Sequence, residues 1–180
     1  MQNNEYLDIL DEQGNKIGKT DTRENIHEKG LIHSEVTAVI YTETGKVLLQ
    51  KRNNNKKTYG GVWSITGGHV LTGESKLEAI IREVKEELNL DVKIHNIEKV
   101  VTYYSTRKKD KILNNKFMTI FLIRICEEDI NKIKIQKAEL EKIKFITINE
   151  LKALVNKDEK EYKFPQKMKK VLEKMEYMDI

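Results

Sequence analysis

Three glutamates sit within five positions of this 180-residue chain: Glu83, Glu86 and Glu87. At about 100° of rotation per helical residue they share one face, so their carboxylates must crowd together if this stretch is helical. Like charges at i, i+4 cost an isolated helix about 0.2–0.5 kcal/mol per pair, and Glu83 and Glu87 form such a pair. A compensating partner is therefore expected. Gly67 and Gly68 lie just upstream, and a glycine turn can bring backbone carbonyls close to a helix face. Several carboxylates beside a carbonyl make a hard-oxygen site suited to Mg²⁺ or Mn²⁺. The bland reading is a solvated acidic face softened by Arg82 and Lys85.

The helix that must carry these groups is legible. Leu77, Ile80, Ile81, Val84 and Leu88 follow the spacing of one apolar stripe, which predicts a helix over residues 75–88. Ser75 with Glu78 fits a capping box, and Asn89 suits the left-handed residue that ends a helix. Around it, residues 6–10 and 16–19 read as a small hairpin, and 35–41 with 46–50 as a second. A short apolar piece covers 62–65. Residues 92–102 and 116–125 are β-prone runs expected to pair antiparallel across a basic connection at 105–115. A last strand is expected at 143–146, and helices at 149–155 and 166–175. This order predicts an α+β fold, a layered αβα arrangement around a mixed sheet.

Bulk composition narrows the class. The chain is 38% hydrophobic and 34% charged, carries a formal charge of +4, and has the size of a single domain. We expect one domain over residues 1–180, with 1–30 as an N-terminal hairpin extension. The lone Cys126, flanked by apolar residues, is expected to be a small buried hydrophobe in a reducing, cytoplasmic setting. No apolar run approaches a membrane span, and the start does not read as a secretory leader. Thr106 to Lys111 is basic, but without aromatic interleaving it gives little support to a nucleic-acid role such as RNA decapping. Tyr59, Trp63, Tyr103 and Tyr104 read as cleft-lining or core aromatics.

The motif formed by Gly68, five residues, Glu74, seven residues, then Arg82-Glu83-Val84-Lys85-Glu86-Glu87-Leu88-Asn89-Leu90 resembles the Nudix box. Only the final glycine differs, replaced by Asn89. The resemblance implies an αβα sandwich and a hydrolase of a nucleoside diphosphate linked to another group, or of a related organic diphosphate. It implies that Glu83, Glu86 and Glu87 are catalytic and bind Mg²⁺ or Mn²⁺ with the carbonyl of Gly67. Glu74 and Arg82 would brace loop and helix, Gly68 having its place in the same motif. The general base would be a box glutamate or a residue outside the box, with Glu139, Glu141 and Asp110 as candidates. The expected partner is a small-molecule diphosphate, with neither nucleic acid nor membrane; oligomeric state is open, a homodimer included.

Residues from about Leu7 to Leu90 further resemble the type I isopentenyl diphosphate isomerases and their hydrolase relatives, through "LDEQGNKIGKTDTRENIHEKGLIH" and "GKVLLQKRNNNKKTYGGVW". That branch implies diphosphate binding by Arg52 and Lys56, and a second, histidine-based metal site drawing on His27, His33 and His69. Two departures argue against isomerase chemistry. Gly67 stands where the isomerases carry a catalytic cysteine, and Asn114 and Lys116 stand where they carry a pair of carboxylates. Hydrolysis is the leading expectation; a non-catalytic diphosphate-sensing module is the alternative.

Overall fold

A computed structural model describes residues 5–56, 58–109, 112–157 and 159–178. Among the described residues, nine strands and five helices follow in the order β1 (Tyr6–Leu10), β2 (Lys16–Thr22), α1 (Arg23–Lys29), β3 (His33–Thr42), β4 (Lys46–Arg52), β5 (Trp63–Ser64), β6 (Thr66–His69) and α2 (Lys76–Leu88). The rest are β7 (Ile97–Lys109), β8 (Ile112–Ile125), α3 (Glu127–Ile130), β9 (Leu140–Thr147), α4 (Ile148–Lys157) and α5 (Met168–Tyr177). Seven strands form a mixed sheet in the order β5-β4-β3-β8-β7, with β6 also on β3 and β9 also on β4. Only β3 and β8 run parallel among these pairs.

Alternation along the central strands assigns each residue to one of two cores. Val36, Ala38, Ile40, Leu48, Phe121 and Ile123 pack against Ala79, Ile80, Val84 and Leu88 of α2. Val39, Tyr41, Leu49, Ile120 and Leu122 face the opposite way, against Ile148 and Leu151 of α4 and Met168, Val171, Leu172 and Met175 of α5. The result is the expected αβα sandwich. Each fully buried Leu or Ile contributes about 1.5–3 kcal/mol of transfer free energy, so this double core fixes the sheet on which the site is built.

Several expectations need correction. Residues 105–109 and 112–115 belong to the two strands rather than to a connection, pairing Ser105 with Lys116 and Arg107 with Asn114. The polar composition of that arm hid a hairpin held by backbone hydrogen bonds. The preceding strand begins at Ile97 rather than Val92, after a 3₁₀ turn at Ile94–Asn96. Helix α1, seven residues long with Ile26 as its buried residue, is too short to show an apolar period in the sequence, although Thr22 caps it and Gly30 ends it at φ 64°. Cys126 is exposed rather than buried, since β8 ends at Ile125 and the chain turns into α3. Asp110 lies outside the described residues.

The N-terminal hairpin is tied into the loop ahead of α2. Thr72 donates its N–H to the Tyr6 carbonyl at 2.8 Å, and Leu7, wholly buried, bridges Leu71.

Candidate functional site at the glycine strand and the acidic helix

Helix α2 begins and ends as its sequence dictates. Ser75 and Glu78 form a reciprocal capping box, and Asn89 closes the helix at φ 57°, its N–H donating to the Lys85 carbonyl. Asparagine tolerates the left-handed region, which is why the glycine usual at this position is dispensable.

The three glutamates project together but meet different surroundings. Glu87 is only 4% exposed and accepts a 2.7 Å hydrogen bond from Gln50 Nε2. Gln50 is itself fixed, because its Oε1 accepts from Thr66 Oγ1 at 2.9 Å. Burial pushes the Glu87 carboxyl up to about 8; the Gln50 bond opposes that shift and the nearby Glu83 charge adds to it. Glu83 is largely buried too, and burial raises it, with Arg82 opposing. Its carboxylate lies directly on Gly68: a Cβ there would come within 2.2 Å of Glu83 Oε1. Any side chain there would have to push the Glu83 carboxylate aside. Glu86 sits half exposed on the rim.

One guanidinium organises this cluster. Arg82 donates from Nε to Glu74 Oε1 at 2.7 Å, from Nη1 to Glu83 Oε1 at 2.8 Å and Glu86 Oε2 at 3.1 Å, and from Nη2 to the His69 carbonyl at 2.9 Å. Glu74 in turn accepts from the Leu71 N–H at 3.0 Å, so loop and helix are locked into one unit.

Arg52 and Lys56 lie at the end of β4. Arg52 donates to the Thr58 carbonyl at 3.1 Å, approaches Glu139 Oε2 at 3.7 Å, and lowers the proton affinity of Glu87 through its charge. Lys56 is ion-paired to the same Glu139. Glu141 instead meets Lys51 at 3.2 Å and Asn54 at 3.1 Å. Trp63 is a core residue with Lys144 Nζ over its ring at 4.2 Å. Tyr103 packs against the same core, Tyr104 is exposed, and Tyr59 accepts a hydrogen bond from Arg107.

A second group forms on the other side of β6. His27 from α1, His33 and Glu35 from β3, and His69 from β6 present ligand atoms all within 4.8 Å of one another. Spacing alone could not have found Glu35, since it joins through strand pairing: Glu35 is opposite His69, and His33 opposite Lys116. Burial drives His27 down to about 4 and His69 well below its usual value, which leaves neutral imidazoles. Glu35 stays ionised despite its burial, because the Lys116 charge and a histidine hydrogen bond outweigh desolvation.

The NUDIX domain family pattern matches residues 31–170. The chain belongs to the Nudix family. It is 28% identical over 163 residues to Nudix hydrolase 3 of Arabidopsis thaliana, which covers 88% of this chain but only 21% of that longer protein. It is 27% identical over 177 residues to isopentenyl-diphosphate Delta-isomerase 2 of Photorhabdus laumondii, covering 98% of this chain and 95% of the relative. A Deinococcus radiodurans crystal structure superposes with a TM-score of 0.69 over 94% of this chain and 98% of that one, at 18% identity, a likeness of fold alone. Relatives named as hydrolases and as isomerases thus both share this Nudix scaffold.

Proposed function

We propose that the chain is a Mg²⁺- or Mn²⁺-dependent hydrolase that cleaves a diphosphate linkage by attack of water at phosphorus. The observation that carries this reading is Glu87. It is a buried carboxylate hydrogen-bonded to Gln50, beside Glu83, and among the described residues no lysine or arginine forms an ion pair with it. A buried carboxylate normally has a paired cation, so a divalent ion is the fitting counter-charge, and the donors here are the hard oxygens such an ion prefers. Glu83, Glu86, Glu87 and the Gly67 carbonyl would hold it. When bound, the metal would neutralise charge on the diphosphate and polarise the attacking water.

The chain's own residues supply the rest. Arg52 and Lys56 would take the diphosphate oxygens, and in doing so would displace Glu139, which both cations contact in the free protein. Of the two candidate bases among the described residues, Glu139 is the one whose charge acts on Glu87, and its carboxylate would be released as substrate arrives. Arg82 and Glu74 would hold the loop while Gly68 leaves room for Glu83.

Isomerisation is disfavoured on a steric ground as well. A Cβ at Gly67 would lie 2.4 Å from the Val36 carbonyl and 2.8 Å from Thr37 Cα, so a thiol cannot be placed there without moving β3.

The test is a phosphate-release screen over nucleoside diphosphate sugars, dinucleotides, nucleoside triphosphates and isoprenoid diphosphates with Mg²⁺ or Mn²⁺. We expect turnover of at least one class, lost in Glu87→Gln. Saturable binding of these compounds without turnover of any would replace hydrolysis with sensing.

A further inference from the structure

Strands β5 and β7 stand at opposite ends of the main strand path, with β4, β3 and β8 between them. Yet Arg107 of β7 donates from Nη1 to the Tyr59 hydroxyl at 3.0 Å, and Tyr59 belongs to the loop that leads from β4 to β5. The outer arm of β7 therefore reaches back across the sheet to the loop that carries Lys56.

Tyr59 separates two sets of cations. On one side, the carbonyl of the preceding Thr58 accepts from Arg52 Nε at 3.1 Å. On the ring itself lie Arg107, with Cζ 5.9 Å from the centroid, and Lys163, with Nζ 5.8 Å from it. Tyr59 holds φ at 56°, a left-handed conformation that a bulky residue rarely adopts and that clusters at ligand clamps.

Arg107 and Lys163 also line a cavity of about 300 Å³. Leu154, Tyr162 and Phe164 give it an apolar wall, Lys169 adds a third cation, and no Asp or Glu is among its lining residues. The Tyr162 and Phe164 rings are stacked 18° apart with centroids 6.2 Å from each other. Among the described residues none of the three cations forms an ion pair with a carboxylate. Lysines elsewhere on α4 and α5 do so: Lys152 meets Glu176 at 2.6 Å and Lys174 meets Glu98 at 2.9 Å. A cleft lined by one sign of charge concentrates the opposite one.

Strand pairing sets how far this cavity lies from the diphosphate cations. The Arg52 N–H donates to the Val62 carbonyl at 3.0 Å. The neighbouring Trp63 donates its N–H to the Glu161 carbonyl and accepts from the Lys163 N–H, each at 2.8 Å. Lys163 is thus two strand spacings from Arg52, roughly 10 Å between backbones. A diphosphate held by Arg52 and Lys56 occupies the near end; a purely hydrocarbon group attached to it would leave the far cations without a counter-charge.

We propose that the substrate carries a second phosphate on the group beyond the scissile diphosphate, bound by Arg107, Lys163 and Lys169, while Tyr162 and Phe164 pack against the body between the two. This rests on the reading of Arg52 and Lys56 as the diphosphate cations. A forked guanidinium with ammonium groups beside it suits a phosphate monoester dianion.

The test measures binding by calorimetry, with Mg²⁺, in the full chain carrying Glu87→Gln. The ligands are two matched pairs, dephospho-coenzyme A with coenzyme A and NAD⁺ with NADP⁺. Each pair differs by one phosphate monoester, so the ratio within it isolates the far end of the cleft and does not depend on turnover. We expect the phosphorylated member of at least one pair to bind at least about tenfold more tightly, the scale of one or two charge-assisted hydrogen bonds. Adding Arg107→Gln/Lys163→Gln should bring the members of that pair within about threefold of each other. Arg107→Lys/Lys163→Arg, which keeps both charges, should keep most of the preference and guards against loss of fold, which circular dichroism also monitors. Lack of discrimination in both pairs, or a preference that survives the glutamine substitutions, would overturn the proposal. Isopentenyl diphosphate, which has no second phosphate, is the control. If the glutamine substitutions weaken its binding as much as that of the phosphorylated compounds, these cations serve the scissile diphosphate and the proposal falls. The expected preference without turnover in the native chain would remove hydrolysis and leave this subsite standing.

Discussion

The two faces of strand β6 treat buried charge in opposite ways. Towards α2, Glu83 and Glu87 share a largely buried space, and the proton affinity of both is raised. Towards α1, Glu35 is just as enclosed, but Lys116 and Asn114 hold it and its proton affinity falls. Carboxylates of similar burial thus differ by whether the fold supplies a cation. Glu87 has no ion-paired cation among the described residues, the property expected of a site that takes one up from solution; on the histidine side Lys116 already supplies the counter-charge of Glu35.

That contrast can be broken most strongly on the acidic side. Glu87→Gln should lower turnover by about 10³-fold or more, the scale of several kcal/mol of charge stabilisation at a metal site, while circular dichroism stays unchanged. Gly68→Ala should follow, because its methyl meets the Glu83 carboxylate; we expect a loss of about 10²-fold in metal-dependent turnover with the fold retained, as the atoms displaced are the end of a flexible side chain. Gly67→Cys differs in kind. Its Cβ meets β3 backbone, so a loss of about 2–3 kcal/mol in chemical denaturation is expected, and no isomerase activity with it.

Proton linkage sharpens the same comparison. Glu87 keeps its proton to about pH 8 in the folded, metal-free protein, but only to about 4.5 when unfolded. Between those values the folded form holds the extra proton, so this residue makes stability fall as pH rises. Glu87→Gln should remove that slope in pH-dependent melting without metal, and gain about 1–3 kcal/mol near pH 8. The smallest effect is expected far from both clusters. Asn89→Gly, at φ 57°, should stabilise by less than about 1 kcal/mol and leave turnover unaltered.

What the sequence disclosed follows the range of the interactions involved. Helix α2, its caps and its acidic face rest on contacts within four residues, and their spacing displays them directly. The core strands show through their apolar runs. By contrast, the partnership of Glu35 with His69 and Lys116 arises from pairing β3 with β6 and β8, which no local spacing records. The polar β7–β8 arm is hidden for a related reason: its order comes from register with a partner strand and not from an apolar face. Likewise, the contact of Glu139 with Arg52 and Lys56 brings together residues more than eighty positions apart, which no local spacing could display.

The family pattern begins at residue 31, yet Tyr6, Leu7 and Asp8 are bonded to residues 71–73, immediately ahead of the acidic helix. A protease cut after Gly30 that released the leading segment would leave every residue of the Nudix motif present while stripping its loop of those outer supports. Such a fragment would pass inspection as a whole motif and still be mechanically a different protein.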